Sequence, residues 1–273
     1  MKNPPIEILA TGANGEVGRQ LSKLCKKNEI DFHSCTDSSL MLTHPNAYLI
    51  HLAAKHPSAT ISQLIESNLV FLSRILSKRV DSQTPFIFIS STSVYGKNFQ
   101  GCAAEDSCHN GLDYYGMTKL QGEALVQERM ESSVSVRCPA ILEHNSSRNF
   151  MSYLFDELYK GNAVKLRNSN KLFNTFVSVE QLLDLILRIS TSNSGHNTIN
   201  LAVKQELTLS DVVDIIKSEI NSKSTIVHCK DEFPHYRVSV QKVLNEYDCK
   251  FESTETYLRR WCKERLLARE NPH

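Results

Sequence analysis

Residues Ile8 to Gly18, read as Ile-Leu-Ala-Thr-Gly-Ala-Asn-Gly-Glu-Val-Gly, decide how this chain folds. A short apolar run ends at three glycines, Gly12, Gly15 and Gly18, and a helical pattern begins as they end. With 10 glycines in 273 residues, such a triplet is expected by chance about 0.013 times. Gly12 permits a turn that other residues avoid. Gly15 leaves room for a group to approach the backbone, and Gly18 lets the helix close onto the strand. The free N–H groups and the positive dipole end of that helix then suit an anion.

Outward from this loop, short apolar runs alternate with helical stretches, the pattern of an α/β fold with a parallel sheet. Strands are expected at 6–10, 31–35, 48–53, 85–90 and 134–138, and helices at 16–27, 61–78 and 113–129. The run Phe86-Ile87-Phe88-Ile89 is continuous and apolar, as in a strand covered on both faces. About ten residues separate the second strand from the third, too few for a crossover helix. The outer third strand of such a sheet is therefore expected to be reduced. After Pro139 the texture changes, and helices near 149–160, 179–190 and 208–220 alternate with short extended pieces. This predicts one unit over 1–140, rejoined by part of 173–205, and a smaller lobe over 141–273. A last helix near 253–268 carries Arg259, Arg260, Lys263 and Arg265, and is expected to pack on the lobe with its basic face solvated.

Composition narrows the function. Hydrophobic residues make up 41% and charged residues 22%, with 31 Lys and Arg against 30 Asp and Glu. A net charge of +1 gives no general attraction to nucleic acid or membrane, so neither is expected as a partner. No apolar run approaches the ~20 residues of a membrane span, and the N-terminus lacks a signal-peptide pattern. A cytoplasmic location with reduced thiols is the expectation. The eight cysteines are expected to be unbridged small hydrophobes. Cys102, Cys108 and His109 do not make a zinc pattern, and no metal ligand is expected.

The spacing T-G-x-x-G-x-x-G resembles the extended short-chain dehydrogenase/reductase superfamily, in its nucleotide-sugar epimerase/dehydratase branch. That resemblance implies a Rossmann-like doubly wound parallel sheet with a smaller C-terminal substrate lobe. It also implies a bound NAD or NADP held by Gly12, Asn14, Gly15, Glu16, Val17 and Gly18. Leu52, Ala53, Ala54 and Lys55 would continue the cofactor wall, as would Ser90, Pro139, Ala140 and Ile141. Asp37, just past the second strand, would take the adenosine ribose, which favours NAD. His51 is expected to be packed rather than catalytic.

Tyr115 and Lys119 stand at i and i+4, on one helix face. Hydride transfer at a carbinol also needs a proton moved at its oxygen. A free phenol has a pKa of about 10, and a neighbouring ammonium favours phenolate. A unit charge at 4 Å and an effective dielectric constant of about 20 supplies roughly 4 kcal/mol, which with help from the cofactor's own positive ring is enough to bring the phenol near 7. Tyr115 is therefore expected as general acid/base, with Lys119 its electrostatic partner, both also touching cofactor. Ser-Ser-Thr-Ser-Val-Tyr-Gly at 90–96 resembles the family's S-S-x-x-V-Y-G. It places Ser91 as the hydroxyl on the reacting sugar oxygen, with Asn68 as a supporting catalytic residue. Thr92, Asn149 and Arg237 are expected to touch substrate. Dehydratases of the family carry an Asp-Glu pair where this chain has Thr92 and Ser93. The expected activity is thus a 4-keto-reductase or a 4-epimerase on a nucleotide-activated sugar, not a 4,6-dehydratase. The trimmed sheet edge leans towards the reductase. A homodimer through the helices near 61–78 and 113–129 follows only from the resemblance. The alternative is a dinucleotide-binding regulatory or structural protein without chemistry.

Overall fold

The computed structural model describes residues 6–35, 44, 47–78, 85–143, 145–146, 148–189 and 195–270. Its strands are β1 (Glu7–Thr11), β2 (Asp31–Ser34), β3 (Tyr48–His51), β4 (Phe86–Ser91), β5 (Gly101–Ala103) and β6 (Ser132–Cys138), then β7 (Ala140–Leu142), β8 (Val164–Leu166), β9 (Phe176–Ser178), β10 (Gly195–Asn200), β11 (Ile226–His228) and β12 (Tyr236–Val238). Six of them form a parallel sheet in the order β10-β6-β4-β3-β1-β2. Among the described residues no strand pairs beyond β2, in keeping with a connection too short for another crossover.

Helices cover both faces, as the strand pattern requires. Ile8 and Ala10 of β1 face one way and pack with Ile50, Ile87, Val134 and Val136 against α1 (Glu16–Lys27), through Leu21 and Cys25. Leu9 faces the other way and packs with Leu49, Phe86 and Phe88 against Leu72, Ile75 and Leu76. This alternation is the period of two expected of a strand buried on both sides. The second helical layer begins at α2 (Ile61–Ile65), passes a π turn at Glu66–Val70 and continues as α3 (Phe71–Leu76). Beside it lies α4 (Tyr114–Arg129), capped by the Asp113 carboxylate, which accepts from the Gly116 N–H at 2.8 Å. Gly116 and Gly122 keep this helix close: a Cβ on Gly122 would lie 2.7 Å from the Phe88 ring.

The remaining helices are α5 (Phe150–Tyr159), α6 (Val179–Arg188), α7 (Leu209–Glu219), α8 (Gln241–Tyr247) and α9 (Thr254–Glu270). A separate core gathers Leu154, Phe155 and Leu158 of α5, Val212 and Ile216 of α7, and Leu258, Trp261 and Cys262 of α9. The basic face of α9 differs from expectation. Arg260 pairs with Glu180, Glu252 and Glu264, and Arg259 with Glu219 and Glu255. Arg265 is buried and donates to the Ser146 carbonyl at 2.6 Å and to Asp156 at 2.9 Å. The helix is thus clamped both by nearby acids, Glu252, Glu255 and Glu264, and by Glu180, Glu219 and Asp156, which are distant in sequence. The cysteines also divide: Cys102 and Cys108 are exposed and Cys229 is half-buried, while the other five are buried. No helix among the described residues is long and apolar enough to cross a membrane.

Candidate active site

The parallel register sets the carboxyl ends of four strands side by side. Thr11 lies opposite His51, and Ser91 opposite Cys138. Above these ends is a cavity of about 670 Å3. Gly12, Gly15, Glu16, Val17 and Gly18 form one wall. Gly12 has φ +73, and a Cβ there would lie 2.6 Å from the Ala53 nitrogen. A Cβ on Gly18 would lie 2.4 Å from the Gly12 carbonyl oxygen. Only glycine fits either place. Gly15 caps α1 with no side-chain hydrogen bond, so the first N–H groups of the helix have no side-chain acceptor there. Backbone donors at a positive helix end, with no side chain in the way, fit the pyrophosphate of a dinucleotide.

The opposite wall carries the reactive hydroxyls. Ser91 ends β4, Tyr115 and Lys119 project from the first two turns of α4, and all three line the cavity. Tyr115 is hydrogen-bonded with Ser91. The Ser91 hydroxyl donates to Ser93 Oγ at 3.1 Å and accepts from the Ser93 N–H at 3.1 Å. Lys119 is buried, donates from Nζ to the Ile89 carbonyl at 2.8 Å, and stands 6.0 Å from the Tyr115 ring centre. Burial lowers its pKa to about 8, opposed by Cys138 and Glu123. Burial pushes Tyr115 up to about 12, against the Ser91 hydrogen bond. Desolvation of the phenol is the largest of these effects.

The structure brings several further candidate residues to the cavity. Leu52, Ala54, Lys55, Ser90, Thr92, Pro139, Ala140, Ile141 and Asn149 all line the cavity. Ala53 adjoins Gly12 through its backbone without lining the cavity, and Asn14 is exposed on the loop, its carbonyl accepting from Arg19. Asp37 lies outside the described residues. Arg237 sits in β12 opposite Cys102, away from the cavity lining. Asn68 is buried behind the wall, in the π turn. Its Oδ1 accepts from the Lys55 N–H at 3.0 Å, and its Nδ2 donates to the Thr118 hydroxyl at 3.0 Å. It ties the β3 end to the helix that carries Tyr115 and Lys119, which is a positioning role. His51 is packed among Phe71, Phe86 and Phe88, and meets Thr11 Oγ1 through Nδ1 at 2.9 Å.

Beneath the site is a buried polar network. Ser90 donates to Glu123 at 2.5 Å, Arg137 pairs with Glu123 at 2.8 Å, and Arg137 also donates to the Tyr95 hydroxyl at 3.2 Å. Burial opposes the Arg137 charge, and the Glu123 carboxylate overcomes that, leaving its pKa raised. His56, Pro57, Ile89, Ser93, Cys138, Ser146, Arg148 and Thr175 complete the lining, and the sequence does not single them out. The His56 ring meets the Arg148 carbonyl at 3.2 Å, a contact between residues 92 apart with no local signature.

Fold and site together define a dinucleotide-binding α/β protein with a tyrosine–lysine pair facing its phosphate loop. The chain belongs to the NAD dependent epimerase/dehydratase family, whose model matches residues 34–202. A curated relative, methionine adenosyltransferase 2 subunit beta of Xenopus tropicalis, is 28% identical over 202 residues, 64% of this chain. The match spans 59% of that relative's length. Among solved structures, MoeE5 in complex with UDP-glucose and NAD is 19% identical with TM-score 0.76, covering 95% of this chain and 99% of that one. A UDP-glucuronic acid 4-epimerase from Bacillus cereus in complex with NAD is 18% identical with TM-score 0.75, at the same coverage. A UDP-glucose 4-epimerase from Thermotoga maritima is 15% identical with TM-score 0.76, covering 97% and 100%. At these identities the likeness to the solved structures is one of fold.

Proposed function

We propose that this protein is an NAD-dependent enzyme that oxidises or reduces C4 of a nucleotide-activated sugar, as a 4-epimerase or a 4-keto-reductase. One observation carries the reading: Ser91, Tyr115 and Lys119 face the glycine loop across one cavity, with Tyr115 hydrogen-bonded with Ser91. The family name and the sugar nucleotides bound by the solved relatives support the substrate class. Gly12, Gly15 and the start of α1 would hold the pyrophosphate. The nicotinamide, when bound, exchanges hydride with the sugar carbon.

The chain's own residues handle the proton. Ser91 holds the reacting oxygen beside the Tyr115 hydroxyl. With its pKa at about 12, the phenol is protonated at neutral pH and stands ready to donate to a ketone oxygen. In the oxidising direction it must first be made acidic, which Lys119 and the bound molecules share. Among the described residues Glu16 is the one carboxylate lining the cavity, and it lies on the glycine loop. Among the described residues no acid lines the cavity beside Ser91 to eliminate water, so 4,6-dehydratase activity is not expected. Conversion of a dTDP-, GDP- or CDP-hexose to its 4-keto-6-deoxy product would contradict this.

The test is a panel of UDP-sugars with NAD and NADH, with products separated by C4 configuration. Tyr115→Phe should lower turnover by about 10² to 10⁴ while NAD binding, followed by calorimetry, is kept. A second reading, a non-catalytic subunit, draws on the name of the curated relative. It is the correct one if no panel member turns over and Tyr115→Phe changes nothing measurable.

A further inference from the structure

At the other end of β1 from the glycine loop, three side chains from distant parts of the sequence converge. Glu7 begins β1, His33 lies on β2, and His44 lies in the connection that leads to β3. Glu7 and His33 share a sheet face because Glu7 pairs with Asp31 and Leu9 with His33. His44 Nδ1 is 3.1 Å from Glu7 Oε1, and His33 Nε2 is 3.9 Å from the same oxygen. The two imidazole rings lie 4.7 Å apart at a tilt of 31°. One ligand atom from each residue falls within 4.8 Å of the others.

We infer that Glu7, His33 and His44 form a site for a divalent transition-metal ion of the zinc class. Two imidazole nitrogens and one carboxylate oxygen are a zinc donor set. Around a tetrahedral ion with bonds near 2.1 Å, donors stand about 3.4 Å apart, so the 3.1 and 3.9 Å separations bracket the requirement. Side-chain exposures of 30% for Glu7, 39% for His33 and 23% for His44 leave an open side for a water as the fourth ligand. The hard cations magnesium and calcium prefer all-oxygen sets and fit poorly. Glu7 is five residues from Gly12, roughly 17 Å along a strand, so the ion stands apart from the cofactor cavity. Bound there, it would fasten His44 to the first two strands.

The test uses the full chain, stripped with chelator, at mildly alkaline pH. Zinc titrated by calorimetry should bind at one equivalent with a micromolar dissociation constant and raise the melting temperature. Cobalt should give visible d–d bands of a nitrogen–oxygen site without the thiolate charge-transfer band. That band separates this cluster from the exposed Cys102 and Cys108. His33→Asn with His44→Asn, and separately Glu7→Gln, should weaken binding about tenfold or more while circular dichroism and NAD binding are unchanged. No binding tighter than millimolar, an equally tight equivalent in the variants, or a thiolate band on cobalt would each overturn the assignment.

Discussion

Replacing Lys119 with Met separates what the buried ammonium does for proton transfer from what it does to stability. Its nitrogen lies 6.0 Å from the Tyr115 ring centre. At that distance and an effective dielectric constant of about 20, one charge favours phenolate by about 2.8 kcal/mol, roughly 2 pKa units. The phenol starts at about 12, and reaching neutrality from there takes about 7 kcal/mol. That value already includes the lysine, so the whole of this must come from bound substrate and cofactor. In the oxidising direction the variant should lose about 100-fold in kcat at neutral pH, and the limb that rises with phenolate should move up by about 2 units. The stability effect has the opposite sign. Burial holds Lys119 at about 8, against 10.5 in the unfolded chain. The unfolded chain therefore binds this proton more tightly, and the fold bears a penalty of about 3 kcal/mol below pH 8 that disappears as pH rises to 10.5. Met removes that penalty but strands the Ile89 carbonyl, which offsets about 1 to 2 kcal/mol. The variant should thus be more stable at pH 7 by about 1 to 2 kcal/mol, and should lose the rise in stability above pH 8. Denaturant unfolding at both pH values and a pH–rate profile check both halves. A variant less stable than the parent at pH 7, or a rate limb that stays in place, would refute the reasoning.

Three further outcomes are expected. His51 is held neutral by burial, its pKa lowered from 6.5 to about 3; the unfolded chain takes up a proton the fold refuses, so stability should fall as pH drops from 6.5 towards 3. His51→Phe should flatten that limb in acid denaturation, and an unchanged limb would assign it to other groups. Glu123→Gln leaves the buried Arg137 charge unpaired and should cost about 3 to 5 kcal/mol in urea unfolding; a loss under about 1 kcal/mol would mean that water reaches the pair. Gly18→Ala brings a methyl 2.4 Å from the Gly12 carbonyl and should weaken NAD binding about tenfold or more while the far-ultraviolet circular dichroism is kept; unchanged affinity would show that the loop tolerates the shift.

What the sequence discloses, and what it hides, follows from how far apart the cooperating residues lie. Gly12, Gly15 and Gly18 are readable because one turn uses them all, and each answers a local steric need. Tyr115 and Lys119 are readable because a helix fixes i and i+4 on one face, and the i,i+4 rule needs no tertiary knowledge. Thr92 and Asn149 were reached through family resemblance and do line the cavity. Arg148 and His56 lie in the same wall but carry no pattern, since their meeting depends on a lobe whose position no local rule gives. Glu7, His33 and His44 are hidden for a similar reason: only the pairing of β1 with β2 and the approach of His44 to Glu7 bring them together. Electrostatics is the least legible. Sequence spacing gave Lys119 the right face but not its distance, and nothing in the chain announces that desolvation of Tyr115 would exceed the pull of the ammonium. A motif can therefore identify the proton-transfer group while giving the wrong resting protonation energy, because identity is set by local geometry and energy by everything packed around it. On the proposed function, the resting site serves as a proton donor, and its use as a base depends on what binds beside it.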